Sequence, residues 1–445
     1  MNFYALSTPP GVSGIAIVRV SGNTALETAN QITREPIQED RTALLRKLYD
    51  RNGSLIDEGI VIWYPENKSY TGQHLIEFHV HGSKAVINKL LSDLSEREDC
   101  RIAEPGEFTK TAYRNNKINL YEAESIADLL DAETEAQRIQ ALRLKESSPI
   151  FIGWRETILD VLSKTEAAID FSEEDLPSDI LDENEAKIKK IKTEIDQMLD
   201  NRMGEIVRDG YKIAIIGPPN AGKSSFLNML LKREAAIVSS EKGTTRDMIE
   251  ARFKINNQSA VLIDTAGIRQ TKNKIEKKGV KLAISASKLS NLDLLILDGS
   301  EKKIPSDIRK IITKKTLVIL NKKDKKGFNK ARFIKELKNI NHKGVLEISL
   351  KKNLGISKLK SELEKAIEAI NAVQASTLIS RDRHRSLMKK CSQRLNDYLK
   401  INRSDEIEKA AEELRLAANQ IAHIVGFIGV EEILGKIFQD FCIGK

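Results

Sequence analysis

The stretch Tyr211-Lys-Ile-Ala-Ile-Ile-Gly-Pro-Pro-Asn-Ala-Gly-Lys-Ser-Ser225 decides the fold of the middle of the chain. Its apolar start, Tyr211 to Ile216, predicts a buried strand, and the pattern G-x-x-x-x-G-K-[ST] follows directly from Gly217 to Ser224. Glycines there allow backbone N–H groups to surround phosphates, while the lysine contacts the terminal phosphates and the serine hydroxyl binds magnesium. The stretch therefore predicts a P-loop that binds a nucleotide through Asn220, Ala221, Gly222, Lys223, Ser224 and Ser225.

Downstream motifs identify the base. Asn321-Lys-Lys-Asp324 follows an apolar run, and the Asp324 carboxylate can accept two hydrogen bonds from guanine that adenine cannot offer. We therefore predict that the nucleotide is GTP. The predicted base contacts are Asn321, Lys322 and Asp324, with Ser349, Leu350 and Lys351 in a loop where Leu350 replaces the usual alanine.

Two further segments have the order expected of nucleotide-sensing switches. Gly243-Thr-Thr-Arg-Asp247 follows the P-loop, and Asp264-Thr-Ala-Gly267 follows the apolar residues 260–263. We expect Thr245 to reach magnesium when the γ-phosphate is present and Asp264 to hold the ion through water. The predicted contacts here are Gly243, Thr244, Thr245, Asp264, Thr265, Ala266 and Gly267.

The residue that orients the attacking water is not obvious from these motifs. Many such domains have glutamine directly after Asp-x-x-Gly, but this chain has Ile268, which cannot hydrogen-bond through its side chain. Glu276 can position the water, or it can belong to a solvated helix face. Asn220 is either an ordinary loop residue or a ligand for a monovalent cation that replaces an arginine finger.

Length and composition limit the overall organisation. A chain of 445 residues is expected to form two or three domains. The net charge of +8 favours contact with a polyanion, although runs such as Lys322, Lys323, Lys325 and Lys326 are expected to be solvated surface. Three widely separated cysteines and the absence of a leader or long apolar segment predict a cytoplasmic protein with no membrane span.

The patterning divides the chain into three predicted domains. Residues 1–117 form a small α+β domain, 208–370 a doubly wound P-loop domain, and 118–207 with 371–445 a split all-α domain that contains the P-loop domain as an insertion. Pro177 marks a break between two helices. A stripe at helical spacing predicts core packing by Ile407, Ala411, Leu414, Ala418, Ile421 and Val425.

The chain resembles the MnmE (TrmE) family of bacterial tRNA-modification GTPases. The resemblance runs from Thr8-Pro-Pro-Gly11 and Pro105-Gly-Glu-Phe108 to Glu122-Ala-Glu-Ser-Ile-Ala-Asp128 and Phe441-Cys-Ile-Gly-Lys445. It implies a homodimer whose N-terminal domain binds 5-formyl- or methylene-tetrahydrofolate. The implied folate contacts are Arg19, Glu77, Lys117 and Lys445, and Cys442 is placed beside the folate with a possible part in the one-carbon chemistry.

The same resemblance implies a reaction and a partner. Family members act with the flavin-dependent protein MnmG, in a heterotetramer or larger complex, on carbon five of the wobble uridine of certain tRNAs. They install an aminomethyl or carboxymethylaminomethyl group there. The resemblance also implies a catalytic Glu276, potassium binding by Asn220, Ser239, Glu241 and Thr244, and nucleotide contacts from Ser239, Ser240, Glu241 and Lys242.

Three other interpretations compete with parts of this prediction. An RNA-binding switch in ribosome assembly would have a similar P-loop domain, but it should carry an RNA module such as a KH domain, and no matching G-x-x-G loop is found. A purely structural scaffold is disfavoured by nearly intact nucleotide motifs. Glu77, His79 and His81 share a strand face, where simple surface exposure is expected rather than metal binding.

Overall fold

The computed structural model describes residues 1–170, 178–233, 249–255, 258–264, 276–371, 378–401, 406–427 and 444. Its contacts divide the chain into two compact units. Unit 1 comprises Met1–Leu130, Leu144–Lys192 and Leu387–Lys445, and unit 2 comprises Asp131–Arg143 and Thr193–Ser386. The three-domain division predicted above is a finer partition of the chain, and it stays a prediction.

The N-terminal part of unit 1 is a sheet with helices. Its elements are β1 (Asn2–Leu6), β2 (Ser13–Ser21), α1 (Ala25–Thr33), β3 (Leu44–Tyr49), β4 (Leu55–Tyr64), β5 (Leu75–Gly82), α2 (Lys84–Ser95), β6 (Cys100–Ile102) and α3 (Glu107–Arg114). The strand order is β3-β4-β5-β2-β1-β6. Because side chains alternate along a strand, Val18, Val61 and Phe78 point to one face and pack into a core with α1 and α2. Arg19 and Glu77 are directly paired across β2 and β5 and belong to the other face.

Helices complete unit 1. They are α4 (Leu120–Leu130), parts of α5 (Glu135–Asp170), α6 (Ser178–Asp200) and α13 (Asp382–Lys400), and α14 (Ile407–Val425). Five of the six residues in the predicted stripe of α14 are confirmed as core, since Ala411, Leu414, Ala418, Ile421 and Val425 are buried, whereas Ile407 at the start of the helix is only partly buried. The helix ends at Gly426, whose carbonyl accepts a hydrogen bond from the Tyr113 hydroxyl. Pro177 lies outside the described residues.

Unit 2 contains the doubly wound sheet that the P-loop motif predicted. Its elements are α7 (Met203–Asp209), β7 (Tyr211–Ile216), α8 (Lys223–Arg233), β8 (Ile249–Ile255), β9 (Gln258–Asp264), α9 (Glu276–Leu289), β10 (Leu292–Asp298), α10 (Ser306–Arg309), β11 (Thr316–Asn321), α11 (Lys330–Leu337), β12 (Gly344–Glu347) and α12 (Ile356–Asn371). The strand order is β12-β11-β10-β7-β9-β8, and every pair is parallel except β8 with β9.

The central strands of this sheet are buried on both faces. Ile213 and Ile215 of β7 pack into one apolar core, while Ala214 and Ile216 pack into a second core. Continuous apolar runs are typical of parallel strands that helices cover on both sides. Chain order along the sheet reverses at β7, which lies between β9 and β10. Ligands of such sheets bind at the carboxyl ends of the strands near this reversal, which is where the P-loop follows β7.

A buried arginine joins the helices that lead into the P-loop sheet. The Arg385 guanidinium donates to the backbone carbonyls of Leu199 and Asn201, each at 2.6 Å, and pairs with the Glu205 carboxylate. The two carbonyls lie at the C-terminal end of α6, where a cation is electrostatically favourable. Arg385 is 5% exposed, so its charge is compensated almost entirely by these partners. The contact fixes the end of α6 beside α7, which immediately precedes β7.

Two of the three cysteines lie in described segments. Cys100 and Cys391 are buried free thiols. Burial raises the pKa of Cys391 to about 12, so that thiol is protonated and unreactive at neutral pH. Cys442 lies outside the described residues. Among the helices of the described part of the chain, none combines the length and apolar character required to span a bilayer.

Candidate functional site

The P-loop approaches its neighbours so closely that two positions require glycine. A Cβ on Gly217 would lie 2.2 Å from the carbonyl oxygen of Ile296 in β10. A Cβ on Gly222 would lie 2.4 Å from Nδ2 of Asn321 at the end of β11. Gly222 also has φ +103°, a left-handed value that favours glycine. The glycine spacing of the motif thus fits the loop between two strand ends.

Lys223 and the two serines begin α8 at the phosphate-binding end of the loop. The Lys223 ammonium donates to the carbonyl oxygens of Gly217 at 2.9 Å and Pro218 at 2.7 Å, so it lies over the loop itself. Ser224 and Ser225 are exposed in the first turn, where unpaired backbone N–H groups favour an anion. The Ser224 hydroxyl is therefore accessible as a magnesium ligand. Asn220 is also exposed, with a left-handed φ of +62°.

Asn321 links the P-loop to the loop after β12 through hydrogen bonds. Its Nδ2 donates to the carbonyl of Ala221 at 3.0 Å, and its Oδ1 accepts from the backbone N–H of Leu350 at 3.3 Å. The asparagine is 3% exposed, so both bonds are shielded from water. Leu350 packs its side chain against the apolar core that includes Ala221. The leucine that departs from the usual motif thus fills space beside the P-loop while its backbone keeps a polar role.

The guanine-specifying carboxylate is oriented by a serine from another loop. The Ser349 hydroxyl donates to Oδ1 of Asp324 and accepts from the backbone N–H of Lys352 at 3.1 Å. The hydrogen bond from Ser349 lowers the pKa of Asp324 below its ordinary value. Asp324 therefore stays ionised and acceptor-only, as recognition of guanine N–H groups requires.

Asp298 is a site residue that the sequence analysis missed. Its carboxylate accepts from the ammonium groups of Lys322 at 2.7 Å and Lys325 at 3.2 Å. Burial opposes its ionisation, but the bonds from Lys322, Ser300 and Lys325 outweigh burial and hold its pKa well below the usual range. The Lys322 ammonium also donates to the carbonyl of Asn220 at 2.7 Å. Asp298 ends the apolar run of β10, and a polar residue at the carboxyl end of a parallel strand is a signal that could have identified it.

The switch predictions fall largely outside the described residues. Those not described are Ser239, Ser240, Glu241, Lys242, Gly243, Thr244, Thr245, Thr265, Ala266 and Gly267. Asp264 is the last residue of β9 and pairs in register with Ile215 of β7, which puts its backbone near the P-loop. Glu276 is the first residue of α9. The magnesium, potassium and catalytic assignments of these residues therefore stay predictions.

In unit 1 the structure brings together two of the predicted folate residues. The Arg19 Nε lies 2.8 Å from Oε1 of Glu77, and His79 Nε2 lies 3.1 Å from Oε2 of the same carboxylate. Glu77 is only 8% exposed, so simple surface exposure was the wrong expectation for it. His81 is exposed and pairs with Asp57 instead. No group of three metal-ligating side chains is found within the described ranges.

Lys117 lies at a separate concavity in unit 1. The residues lining this ≈720 Å³ cavity are Pro65, Glu66, Asn67, Gly72, His74, Arg114, Asn115, Asn116 and Lys117. The Lys117 ammonium donates to the carbonyl of Asn67 at 3.1 Å. Arg19 and Glu77 are not among the lining residues, so the described structure does not place the three predicted folate residues in one pocket.

The C-terminal tail is described at one position. Gly444 is buried, with φ +98°, and its carbonyl accepts a hydrogen bond from the Ser7 hydroxyl at 2.9 Å. A Cβ on Gly444 would lie 2.5 Å from the carbonyl oxygen of Leu6, so Gly444 lies close to the end of β1. Lys445 and Cys442 lie outside the described residues.

Taken together, the P-loop, the ionised Asp324 and the doubly wound sheet define unit 2 as the catalytic part of a P-loop GTPase. A family model described as the MnmE helical domain matches residues 120–442, and one described as the GTP-binding protein TrmE N-terminus matches residues 2–117. The chain belongs to the MnmE family of tRNA modification GTPases.

Full-length relatives agree with this assignment. The chain is 46% identical over 460 residues to the tRNA modification GTPase MnmE of Pelagibacter ubique, covering 100% of both chains. It is 39% identical to the relative of the same name from Paramagnetospirillum magneticum, covering 100% of this chain and 99% of the relative. It is also 39% identical to that of Rickettsia prowazekii, covering 100% of both. Separately, the solved G domain of the T. maritima FeoB iron transporter matches 35% of this chain and 98% of its own at 22% identity, and its TM-score of 0.26 adds nothing to the assignment.

Proposed function

We propose that this chain uses GTP hydrolysis to support modification of the wobble uridine of certain tRNAs, together with the flavin-dependent protein MnmG. One observation carries the proposal. Asp324, which Ser349 orients, lies in the same unit as a complete P-loop, and the chain matches a tRNA modification GTPase along its full length. The proposed product carries an aminomethyl or carboxymethylaminomethyl group at carbon five. A ribosome-assembly switch has no comparable support.

The hydrolysis step assigns roles to residues of unit 2. Lys223 and the N-terminus of α8 neutralise charge on the terminal phosphates, and Ser224 with Thr245 would hold magnesium, which would offset charge that develops there. Glu276 orients the attacking water in place of the glutamine that Ile268 replaces. Asn220 would help to hold potassium, which would supply positive charge where other GTPases use an arginine finger; such a finger contributes about 10³ to 10⁵ in rate.

Unit 1 is proposed to bind the one-carbon donor. Arg19 offers a cation for the glutamyl carboxylates or the polar pterin edge, and Glu77 retains acceptor capacity for pterin N–H groups beyond its bonds to Arg19 and His79. The position of Gly444 beside Ser7 supports delivery of the tail to the same sheet, because β1 pairs directly with the strand that carries Arg19. We further propose that the protein is a cytoplasmic homodimer.

The decisive experiment compares wobble uridines by mass spectrometry in cells with and without the gene. Cells that lack the protein should lose the modified uridine, and a plasmid copy of the wild type should restore it. Asp324→Ala should fail to restore it because guanine recognition is abolished, whereas Asp307→Ala, an exposed acid of the same unit, should restore it. Normal uridine modification in cells without the gene would refute the proposed function.

A further inference from the structure

Positive charge is concentrated in one part of unit 2. Residues 291–371 contain 20 Lys and Arg against 10 Asp and Glu, a net charge of +10. The whole chain has 72 against 64, a net charge of +8, so the remaining residues together carry −2. A charge asymmetry of this size is typical of a surface that meets a polyanion.

Six of these lysines lie at one edge of the sheet, on the two loops after β11 and β12 and at the first residue of α11. We call them the lysine rim: Lys323, Lys325, Lys326, Lys330, Lys351 and Lys352. They follow the C-terminal ends of β11 and β12, which are neighbouring parallel strands, so the loops after them meet at the same edge. The backbone N–H of Lys323 donates to the carbonyl of Ile348 at 3.0 Å, which joins the two loops directly.

Nearby acids neutralise only part of this charge. Glu347 is shared by Lys323 at 3.3 Å and Lys330 at 3.4 Å. Asp298 is shared by Lys325 and Lys322. Each acid thus faces two ammonium groups. The remaining rim members, Lys326, Lys351 and Lys352, are exposed, and the described residues show no ion pair for them.

We propose that the lysine rim is a docking surface for the phosphate backbone of a folded RNA. Exposed ammonium groups on flexible stems suit rows of phosphates, where binding gains free energy from counterion release. The only aromatic residue in these loops, Phe328, is partly buried against the apolar core, so a platform for stacking bases is not present in this described surface. The rim therefore positions RNA without reading its sequence.

This inference rests on the proposed function only for the identity of the RNA, which is tRNA. The inference adds the position of the RNA, which is beside the guanine-binding residues. Asp324 lies on one of the two rim loops and Ser349 on the other, and a hydrogen bond joins them. The hydrogen bond from Ser349 is the largest cause that lowers the pKa of Asp324, and the charges of Lys351 and Lys352 act in the same direction. Docked RNA would consequently border the nucleotide pocket.

The test measures tRNA binding by fluorescence anisotropy across a salt series, using the full-length protein. The rim variant carries Lys323→Gln, Lys326→Gln and Lys330→Gln. A control variant carries Lys310→Gln, Lys314→Gln and Lys343→Gln, which removes the same charge from exposed lysines at the opposite edge of the same sheet. Six residues of strand separate the edges by roughly 20 Å, beyond the screening length of about 8 Å at physiological salt.

The rim variant should bind tRNA roughly tenfold more weakly at physiological salt. Its slope of log K against log salt should be shallower by about 2 to 3, near one unit for each phosphate that the protein no longer neutralises. The control variant should keep the wild-type slope. Titration with a fluorescent GDP should give the same nucleotide affinity for all three proteins, which verifies that the rim variant is folded.

Two results would overturn the inference: equal decreases in affinity for the rim and control variants, or a rim variant that binds like the wild type. A non-substrate tRNA serves as a second probe because the contact is independent of sequence. If cells without the gene keep normal wobble uridines while the rim variant still binds both tRNAs more weakly, only the proposed function fails. If the gene is required for modification and the rim variant binds normally, only the lysine rim fails.

Discussion

The Ser349 hydroxyl donates a hydrogen bond to the Asp324 carboxylate, although the two residues lie on different loops. Serine is thereby a positioning residue for the group that selects guanine. Because the same hydroxyl accepts from the backbone N–H of Lys352, its rotamer is fixed from both sides. The base-binding carboxylate is thus held in place before GTP arrives.

Ser349→Ala should weaken GTP binding roughly tenfold, as expected for removing a hydrogen bond to a charged group. The bond lowers the pKa of Asp324, so its ionised form persists as the pH falls. In the variant this pKa rises, and GTP affinity should begin to decline at a higher pH than in the wild type. Calorimetric GTP titrations between pH 4 and 7 measure both effects.

Ser357→Ala, at an exposed position of α12, is the control. Identical pH profiles for Ser349→Ala and the wild type would contradict the assigned role.

Hydrolysis should be faster in potassium than in sodium, with pairing of two P-loop domains during turnover. The physical reason is that Asn220 can help to hold a monovalent cation against the phosphates, in the position where an arginine finger acts in other GTPases. Phosphate release in matched chloride salts measures the effect. Asn220→Ala should remove the preference, whereas Asn329→Ala, which affects a helix cap of α11, should keep it. Equal rates of the wild type in both salts would rule the cation role out.

Glu276→Ala should lower kcat far more than nucleotide affinity, because the glutamate is proposed to act on the water in the transition state. Single-turnover hydrolysis and GTP titration separate the two effects. Lys277→Ala, at the next residue of α9, serves as a control for local disturbance. If both variants hydrolyse GTP at the wild-type rate, Glu276 is an ordinary surface residue.

Deleting residues 442–445 should weaken binding of formyl-tetrahydrofolate and abolish tRNA modification, while GTP binding stays intact in unit 2. Ser7→Ala is the milder variant because it removes only the hydrogen bond to the Gly444 carbonyl. We expect it to lower folate affinity by less than the deletion does. Calorimetry with both ligands distinguishes the outcomes. Unchanged folate affinity in the deletion contradicts a shared site, and absent GTP binding indicates general unfolding.

Arg385→Leu should destabilise the protein by about 3 to 5 kcal/mol, since it removes a buried cation and leaves the partly buried Glu205 carboxylate and two helix-end carbonyls without their partner. Urea unfolding followed by far-ultraviolet circular dichroism measures the change. Lys389→Leu, at an exposed position of the same helix, should change the free energy of unfolding by less than about 0.5 kcal/mol. Equal stability of the two variants would show that Arg385 is not needed at this joint.

The sequence predicted the P-loop sheet well because its signals are local. Tyr211–Ile216 is a strand with the predicted bounds, and the helix stripe ending at Val425 is buried. Contacts between distant segments were harder to predict. The alternating sequence of β5 predicted an exposed face for Glu77. In the folded chain β2 pairs with β5 and brings Arg19 to the Glu77 carboxylate, which also contacts His79.

Contacts between distant segments also explain why the sequence did not predict the roles of two residues in the nucleotide site. Asp298 has no motif of its own, and its importance depends on Lys322 and Lys325 arriving from the loop after β11. Likewise, the sequence identified Leu350 only as a predicted base contact that replaces the usual alanine. In the folded chain its side chain joins the apolar core, while its N–H holds Asn321, and neither interaction follows from spacing along the chain.

The contact between Ser7 and Gly444 has a consequence for how the protein is made. Chains are synthesised from the N-terminus, and domains generally fold as units in that order. Ser7 is thus translated 437 residues before its partner Gly444. Unit 2 can acquire its nucleotide site earlier, because all of it precedes residue 387. A chain that stops between residues 387 and 444 would therefore still bind GTP yet lack the contact with Ser7, so this contact is a late step in the assembly of unit 1.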